Sequence, residues 1–304
     1  MTTDSSRARS GPRIEGMEAA GRLLRRAGAL AALALLSLPA AAPGQDTARL
    51  ADLMRAGHYG EAYDAIVHAG REKDPAALES AARMLLVLSI ESEDSFQRWA
   101  GLRAARFLDD AELANAARKY ARDGGRYEQA LALEILARSD PKGSRADFVA
   151  ALDSPYRTVR IRALRALAAL REDRPVDRVA TVLTEDPDPD LRALAARTLR
   201  VWNAKRAMPS LRKALDDEAN TVQQEAVKAL VALGDEDVAD EIRHRLAETP
   251  PDQRASVMRL AALVPEPDLI PDLGPGLADP DPDVRAVAAG AILSILAHVP
   301  DENP

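Results

Sequence analysis

The chain has 304 residues, 47% of them hydrophobic but only 3% aromatic, and no cysteine. Such a composition supports a core of Ala, Leu and Val at close helix contacts and disfavours a β-sandwich or barrel, which draws on β-branched and aromatic side chains. Forty-one basic against 48 acidic residues give a net charge of −7, which argues against a protein that grips phosphate backbones and leaves no nucleic-acid partner expected. A compact globule of this length would lie at the top of the range for one domain, about 250–300 residues, so two domains or an elongated array are expected.

Arg22, Arg25 and Arg26 precede an apolar run from Ala27 to Leu38, followed by Pro39-Ala40-Ala41-Ala42-Pro43-Gly44 and the polar Gln45-Asp46. These are the three regions of a secretory signal peptide. The run is 12 residues long, short of the roughly 20 that a membrane-crossing helix needs, so residues 1–44 are expected to be removed and no permanent span to remain. Small residues at Ala42 and Gly44 favour a cut before Gln45, and Met17 is an alternative start that would shorten the leader. Its loss takes away six arginines and three acids, leaving 35 bases against 45 acids and a charge of −10. The mature chain is expected in the periplasm or secreted, and without cysteine it has neither disulfides nor a lipid-modified N-terminus.

Residues 45–94 are expected to be helical but out of register with the residues after Asp94. Ala56-Gly57-His58-Tyr59-Gly60-Glu61-Ala62-Tyr63 resembles the first half of a tetratricopeptide repeat, in which Gly and a small Ala let two helices approach closely, and Ala76 to Ile90 would be the partner helix. An irregular helical cap is the other reading, since such repeats need about three units to form an array.

From about Ser95 to Val299 the chain repeats. Leu136, Leu167, Leu199, Leu230, Ala261 and Ile292 recur at steps of 31, 32, 31, 31 and 31 residues. Ala132, Ala163, Ala195, Ala226, Val257 and Ala288 lie four residues earlier, on the same face of a helix. About ten residues on come Phe148, Val179, Leu211, Ile242 and Leu273, followed four later by Leu152, Leu183, Leu215, Leu246 and Leu277. Each period therefore holds two amphipathic helices. Between them, Asp186-Pro187-Asp188-Pro189-Asp190 and Asp279-Pro280-Asp281-Pro282-Asp283 place Asp188 and Asp281 as N-caps, with Pro at the first helical position. A hairpin of this size cannot bury its apolar stripe alone, and stacking on its neighbours supplies the core.

The pattern resembles the HEAT-like repeats, particularly their short bacterial form, through Val159-Arg160, Leu191-Arg192, Val222-Gln223, Gln253-Arg254 and Val284-Arg285 with their downstream columns. The resemblance implies an all-α, right-handed α-solenoid of stacked hairpins. It implies little about function, because the shared residues pack and cap. It also implies that the second helices line the concave side, which would put Arg178, Arg212, Lys213, Arg243 and His244 on or near a partner-binding surface.

Nothing in the sequence assembles a catalytic centre. The four histidines (58, 68, 244 and 298) are scattered, no cysteine assists them, and no pair stands at metal-ligand spacing, so catalytic, metal and cofactor sites are all expected to be absent. The acidic turns lack the ligand alternation of a calcium loop. Arg98, Arg160, Arg192, Arg254 and Arg285 recur at one position of the unit beside those turns, and are expected to bind carboxylates or carbonyls of neighbouring units. Trp202 replaces Leu170 and Leu233 in a core column, whereas Trp99 has no assigned place. Val284 to Val299 forms a first helix without a second, apolar on nearly every side, and is expected to pack against the last hairpin, a second copy or a partner edge. The reading favoured by these observations is an exported, non-enzymatic scaffold or adaptor that binds another protein through its concave face. A tetrapyrrole-handling protein similar to the bilin lyases, or an envelope chaperone or assembly factor, are the alternatives.

Overall fold

The computed structural model describes residues 43–68, 73–250 and 253–298. Residues 1–42, which hold nearly all of the expected signal peptide, and the tail at 300–304 lie outside the described residues. Within them all regular structure is helical, and no helix is long and apolar enough to cross a membrane. The chain divides into two compact units after Ser89.

The first unit contains α1 (Pro43–Arg55), α2 (Tyr59–His68) and most of α3 (Pro75–Glu91). The expected cleavage before Gln45 would remove the first two residues of α1. Gly57, at φ 77, turns the chain from α1 into α2, a left-handed conformation that costs glycine nothing. Ala62 is fully buried beside Leu50, Met54, Ile66 and Ala81, so its small side chain sits where two helices approach.

In the second unit the helices alternate as firsts and seconds of hairpins. The pairs are α4 (Ser95–Ala105) with α5 (Ala111–Asp123), α6 (Arg126–Ser139) with α7 (Arg145–Ala151), and α8 (Arg157–Ala168) with α9 (Val176–Glu185). They continue as α10 (Pro189–Val201) with α11 (Met208–Lys213), α12 (Asn220–Leu233) with α13 (Val238–Glu248), and α14 (Arg254–Ala261) with α15 (Ile270–Leu273), before a last first helix, α16 (Pro282–Leu296). Every first helix packs on the next one, from α4 through to α16.

The predicted columns are the core. Leu136, Leu167, Leu199, Leu230 and Ala261 are fully buried, as are Phe148, Val179, Leu211, Ile242 and Leu273 from the second helices. Trp202 is buried in the column of Leu170 and Leu233, and its indole N–H donates to the Ala168 carbonyl at 3.3 Å. Caps fall where the Asp-Pro-Asp turns place them: Asp188 and Asp281 accept from the amides of Asp190 and Asp283 at 2.9 and 2.8 Å. Gly234 closes α12 at φ 73.

Four expected core positions differ. Leu277 is 49% exposed, because α15 stops at Leu273 and the chain goes on as a 3-10 turn over Gly274–Ala278. At about 120° per residue such a turn carries the fourth side chain away from the face where an α-helix would keep it. Leu246, Val257 and Ile292 are only half-buried. The terminal helix itself begins at Pro282, two residues before the expected Val284, and its regular turns end at Leu296, while Val299 lies outside the described residues. It turns Val284, Ala288, Ala291 and Ile295 inward and leaves Leu293 67% and Leu296 49% exposed.

Candidate functional site

The recurring arginines hold the turns together. Arg98, Arg160, Arg192 and Arg285 each donate to the carbonyl six residues earlier, of Ser92, Ser154, Asp186 and Asp279, at 2.7, 3.1, 2.9 and 2.8 Å. Gln223 makes the same bond to Asp217 at 2.7 Å. Four of the arginines then reach forward to an acid of the next unit: Arg98 to Glu128 at 2.5 Å, Arg160 to Asp186 at 2.8 Å, Arg192 to Asp217 at 2.7 Å and Arg254 to Asp279 at 3.3 Å. A fork of five N–H donors can satisfy a carbonyl and a carboxylate together, which an ammonium does less well. These side chains are occupied, and the ladder is structural.

The second helices close up in alternate pairs. α5 packs on α7, α9 on α11 and α13 on α15, whereas α7 and α9, and likewise α11 and α13, approach far less closely. A groove opens at each of those two gaps. One, about 630 Å³, is lined by Arg212, Lys213, Asp237, Asp240, Glu241 and His244 over apolar Leu215, Leu230 and Val238. The other, about 280 Å³, lies along Asp153, Ser154, Arg178, Thr181 and Glu185. Beside the wider gap α11 has six residues before it tightens into a 3-10 turn over Ala214–Asp216.

Arg178 therefore lies in the smaller groove, and Arg212, Lys213 and His244 lie in the larger. Arg243 does not line either one; it faces the closed side, bonding Asp272 at 3.1 Å and pairing with Asp240. Most of this charge is neutralised within the chain. Arg178 pairs with Asp153 and Arg212 with Asp235 at 2.8 Å and Asp237 at 2.7 Å, while the His244 ring lies 3.2 Å from the Glu248 carboxylate. The bond to Asp235, whose side chain is fully buried, raises the Arg212 guanidinium above its ordinary value. Lys213 is exposed and forms none of these pairs. Among the described residues no group of acids and histidines is placed to hold a metal ion. The grooves are mixed-charge clefts with apolar side chains in their lining.

A family model of HEAT repeats matches residues 176–261, the stretch from α9 to α14. The repeats are HEAT-like. Their fold is that of an α-solenoid, shared with the X-ray structure of YibA from Escherichia coli, which aligns with a TM-score of 0.53 at 15% identity over 86% of this chain and 98% of that one. An engineered protein aligns over 70% of this chain and 96% of its own, at 18% identity and a TM-score of 0.28. No curated protein sequence matches the chain. HEAT-like solenoids are typically scaffolds for protein interaction.

One feature of this HEAT-like unit escapes the sequence pattern. Phe96, Phe107 and Tyr127 are 71%, 66% and 64% exposed, and Trp99, half-buried, stacks under Arg103 at 5.0 Å. In a chain so poor in aromatics, their gathering between residues 96 and 127 is the signal that could have found them.

Proposed function

We propose that the mature chain is an exported, non-enzymatic HEAT-repeat scaffold that binds another protein along its second helices. The observation that carries this reading is the opening of those helices into two grooves at the places occupied by Arg178, Arg212, Lys213 and His244. Groove charges already paired within the chain set orientation and exclude wrong partners, and Lys213 supplies a cation for the partner's carboxylate. The apolar floor of Leu215, Leu230 and Val238 supplies the buried area. The free flank of α16, with Leu293 and Leu296 outward beside Ala286 and Gly290, is given to a second copy of the chain, across a two-fold interface.

The test places a photo-crosslinking amino acid at Lys213, and separately at Thr181, in the full chain expressed in its native host. The expected result is one recurrent envelope protein crosslinked from both positions, with the mature N-terminus at Gln45. A chain that keeps its leader in the cytoplasm, or that yields no discrete crosslinked product, would overturn the reading. Crosslinking to many unfolded clients without preference would favour the chaperone instead.

A further inference from the structure

The first helices carry a second surface, built from side chains that line neither groove. One column of it runs Arg103, Glu134, Arg165, Arg197, Lys228 and Arg259 at the period of the repeat. In its later part each cation has an acid: Arg197 and Lys228 share Glu225 at 3.2 and 3.1 Å, and Arg259 meets Asp283 at 2.8 Å. In its earlier part the acids run out. Helices α4 and α8 contain no acidic residue, and the acids at the starts of α6 and α10, Glu128 and Asp190, are taken by Arg98 and Arg157. Glu134 alone serves both Arg106, at 4.0 Å, and Arg162. Among the described residues Arg103 and Arg165 have no acid, and neither has Arg200, three residues beyond Arg197.

The shortage shows in the hydrogen bonding. Among the described residues, four buried side-chain polar atoms lack a partner, and three of them are the Nε atoms of Arg106, Arg162 and Arg200. Burial, then the repulsion of Arg106 and Arg165, pushes the Arg162 guanidinium below its ordinary value. The cluster carries more positive charge than the chain neutralises, inside a protein that is acidic as a whole. Beside it stand the exposed rings: Arg106 stacks on Phe107 at 4.4 Å and Phe96 lies 5.9 Å from Trp99. Exposed aromatics interleaved with arginine are the composition of protein-interface hot spots.

We infer that the flank of α4, α6, α8 and α10 is a docking surface for an acidic polypeptide segment, whose carboxylates fill at Arg103, Arg165 and Arg200 the places that Glu225 and Asp283 fill further along. Carboxylate is favoured by the chain's own usage: wherever this column is satisfied, a Glu or Asp side chain satisfies it. Successive first helices lie about 10 Å apart, which an extended strand spans in about three residues. Arg103 and Arg165 stand two units apart with Glu134 of the intervening unit between them, so a segment with acids about six residues apart meets both and sets a non-acidic residue against Glu134, and an apolar residue near its end covers Phe96 and Trp99. This surface stands independently of the grooves of the second helices.

The experiment titrates the mature chain with poly-L-glutamate and follows tryptophan emission, to which Trp99 responds because Trp202 is buried. Saturable binding is expected, weakening with salt and at least about tenfold weaker for Arg103→Glu with Arg165→Glu. Those side chains have no intramolecular ion pair, so the variant keeps its circular dichroism and melting temperature. Phe96→Ser weakens binding at high salt as well. Lys213→Glu with Arg178→Glu leaves binding unchanged. The inference is overturned by absence of saturable binding, by equal binding to the Arg103/Arg165 variant, or by loss of binding in the groove variant instead. It is overturned equally where phosphatidylglycerol vesicles or a single-stranded oligonucleotide bind through these arginines and poly-L-glutamate does not.

Discussion

Arg192 and Asp217, one on α10 and the other in the turn before α12, meet through two parallel hydrogen bonds of 2.7 and 2.8 Å. Their side chains are only 9% and 10% exposed. The same guanidinium holds the Asp186 carbonyl at 2.9 Å, so one side chain fixes its own turn and the next.

Removing one partner strands the other in a site that water scarcely reaches. Arg192→Ala or Asp217→Ala is expected to destabilise the second unit by about 3–5 kcal/mol, and the double variant Arg192→Ala with Asp217→Ala by clearly less than the two single losses together. Urea denaturation of the four proteins checks the cycle. Strict additivity would show that the pair is not coupled.

Acid should loosen the array for a related reason. Burial pushes the carboxyls of Asp188, Asp217 and Glu225 up, but hydrogen bonds outweigh it, from Arg157, Arg192 and Arg197 respectively, and hold all three below their ordinary values. A carboxyl lowered by folding stabilises fully above its unfolded value, about 3.9 for Asp and 4.3 for Glu, and loses that contribution as the pH falls through the lower folded value. The melting temperature is therefore expected to be level from pH 7 to about 5 and to drop below about 4. Glu225→Gln should melt lower at neutral pH and show a shallower acid drop. A melting temperature that rises on acidification contradicts this linkage.

The repeat was legible because it rests on packing, and packing imposes a period: Leu136 to Leu230 and Phe148 to Ile242 are buried where their spacing puts them. The caps were legible because Asp before Pro has few other uses at a helix start. What escaped depends on distances between helices. Nothing in the spacing of Arg178 and Lys213 says that α7 and α9, or α11 and α13, stand apart. Nor does the composition of α15 announce that Leu277 will be turned outward by a 3-10 step. The arginine flank escaped for another reason: Glu134 interrupts its column, and the missing acids are an absence spread over four helices.

The terminal helix offers a test of self-association in which folding and interface separate. Ile295 is buried at 1% exposure, so substituting it would damage the core. Leu293 and Leu296 face outward, and Leu293→Asp with Leu296→Asp is expected to leave helicity and melting temperature within the usual range of a surface change, about 0.5 kcal/mol. Light scattering over a concentration series should give a dimer mass for the parent and a monomer mass for the variant. A parent that stays monomeric throughout would remove the second copy from that flank.

Gly276, just after the short helix α15, packs closely against its neighbours. A Cβ built there would lie 2.6 Å from the Met258 methyl and 2.8 Å from the Ala288 Cβ, and the glycine is buried between α14 and α16. The methionine can swing away, since its thioether chain is flexible. Ala288 cannot, because its Cβ is fixed to the helix backbone. Gly276→Ala is therefore expected to destabilise the second unit by about 1–3 kcal/mol. Met258→Ala in the same chain should recover little of the loss, whereas Ala288→Gly should recover more despite the helix cost of a glycine, about 1 kcal/mol. Thermal unfolding of the two double variants decides it, and recovery by Met258→Ala alone would show that the methionine sets the spacing.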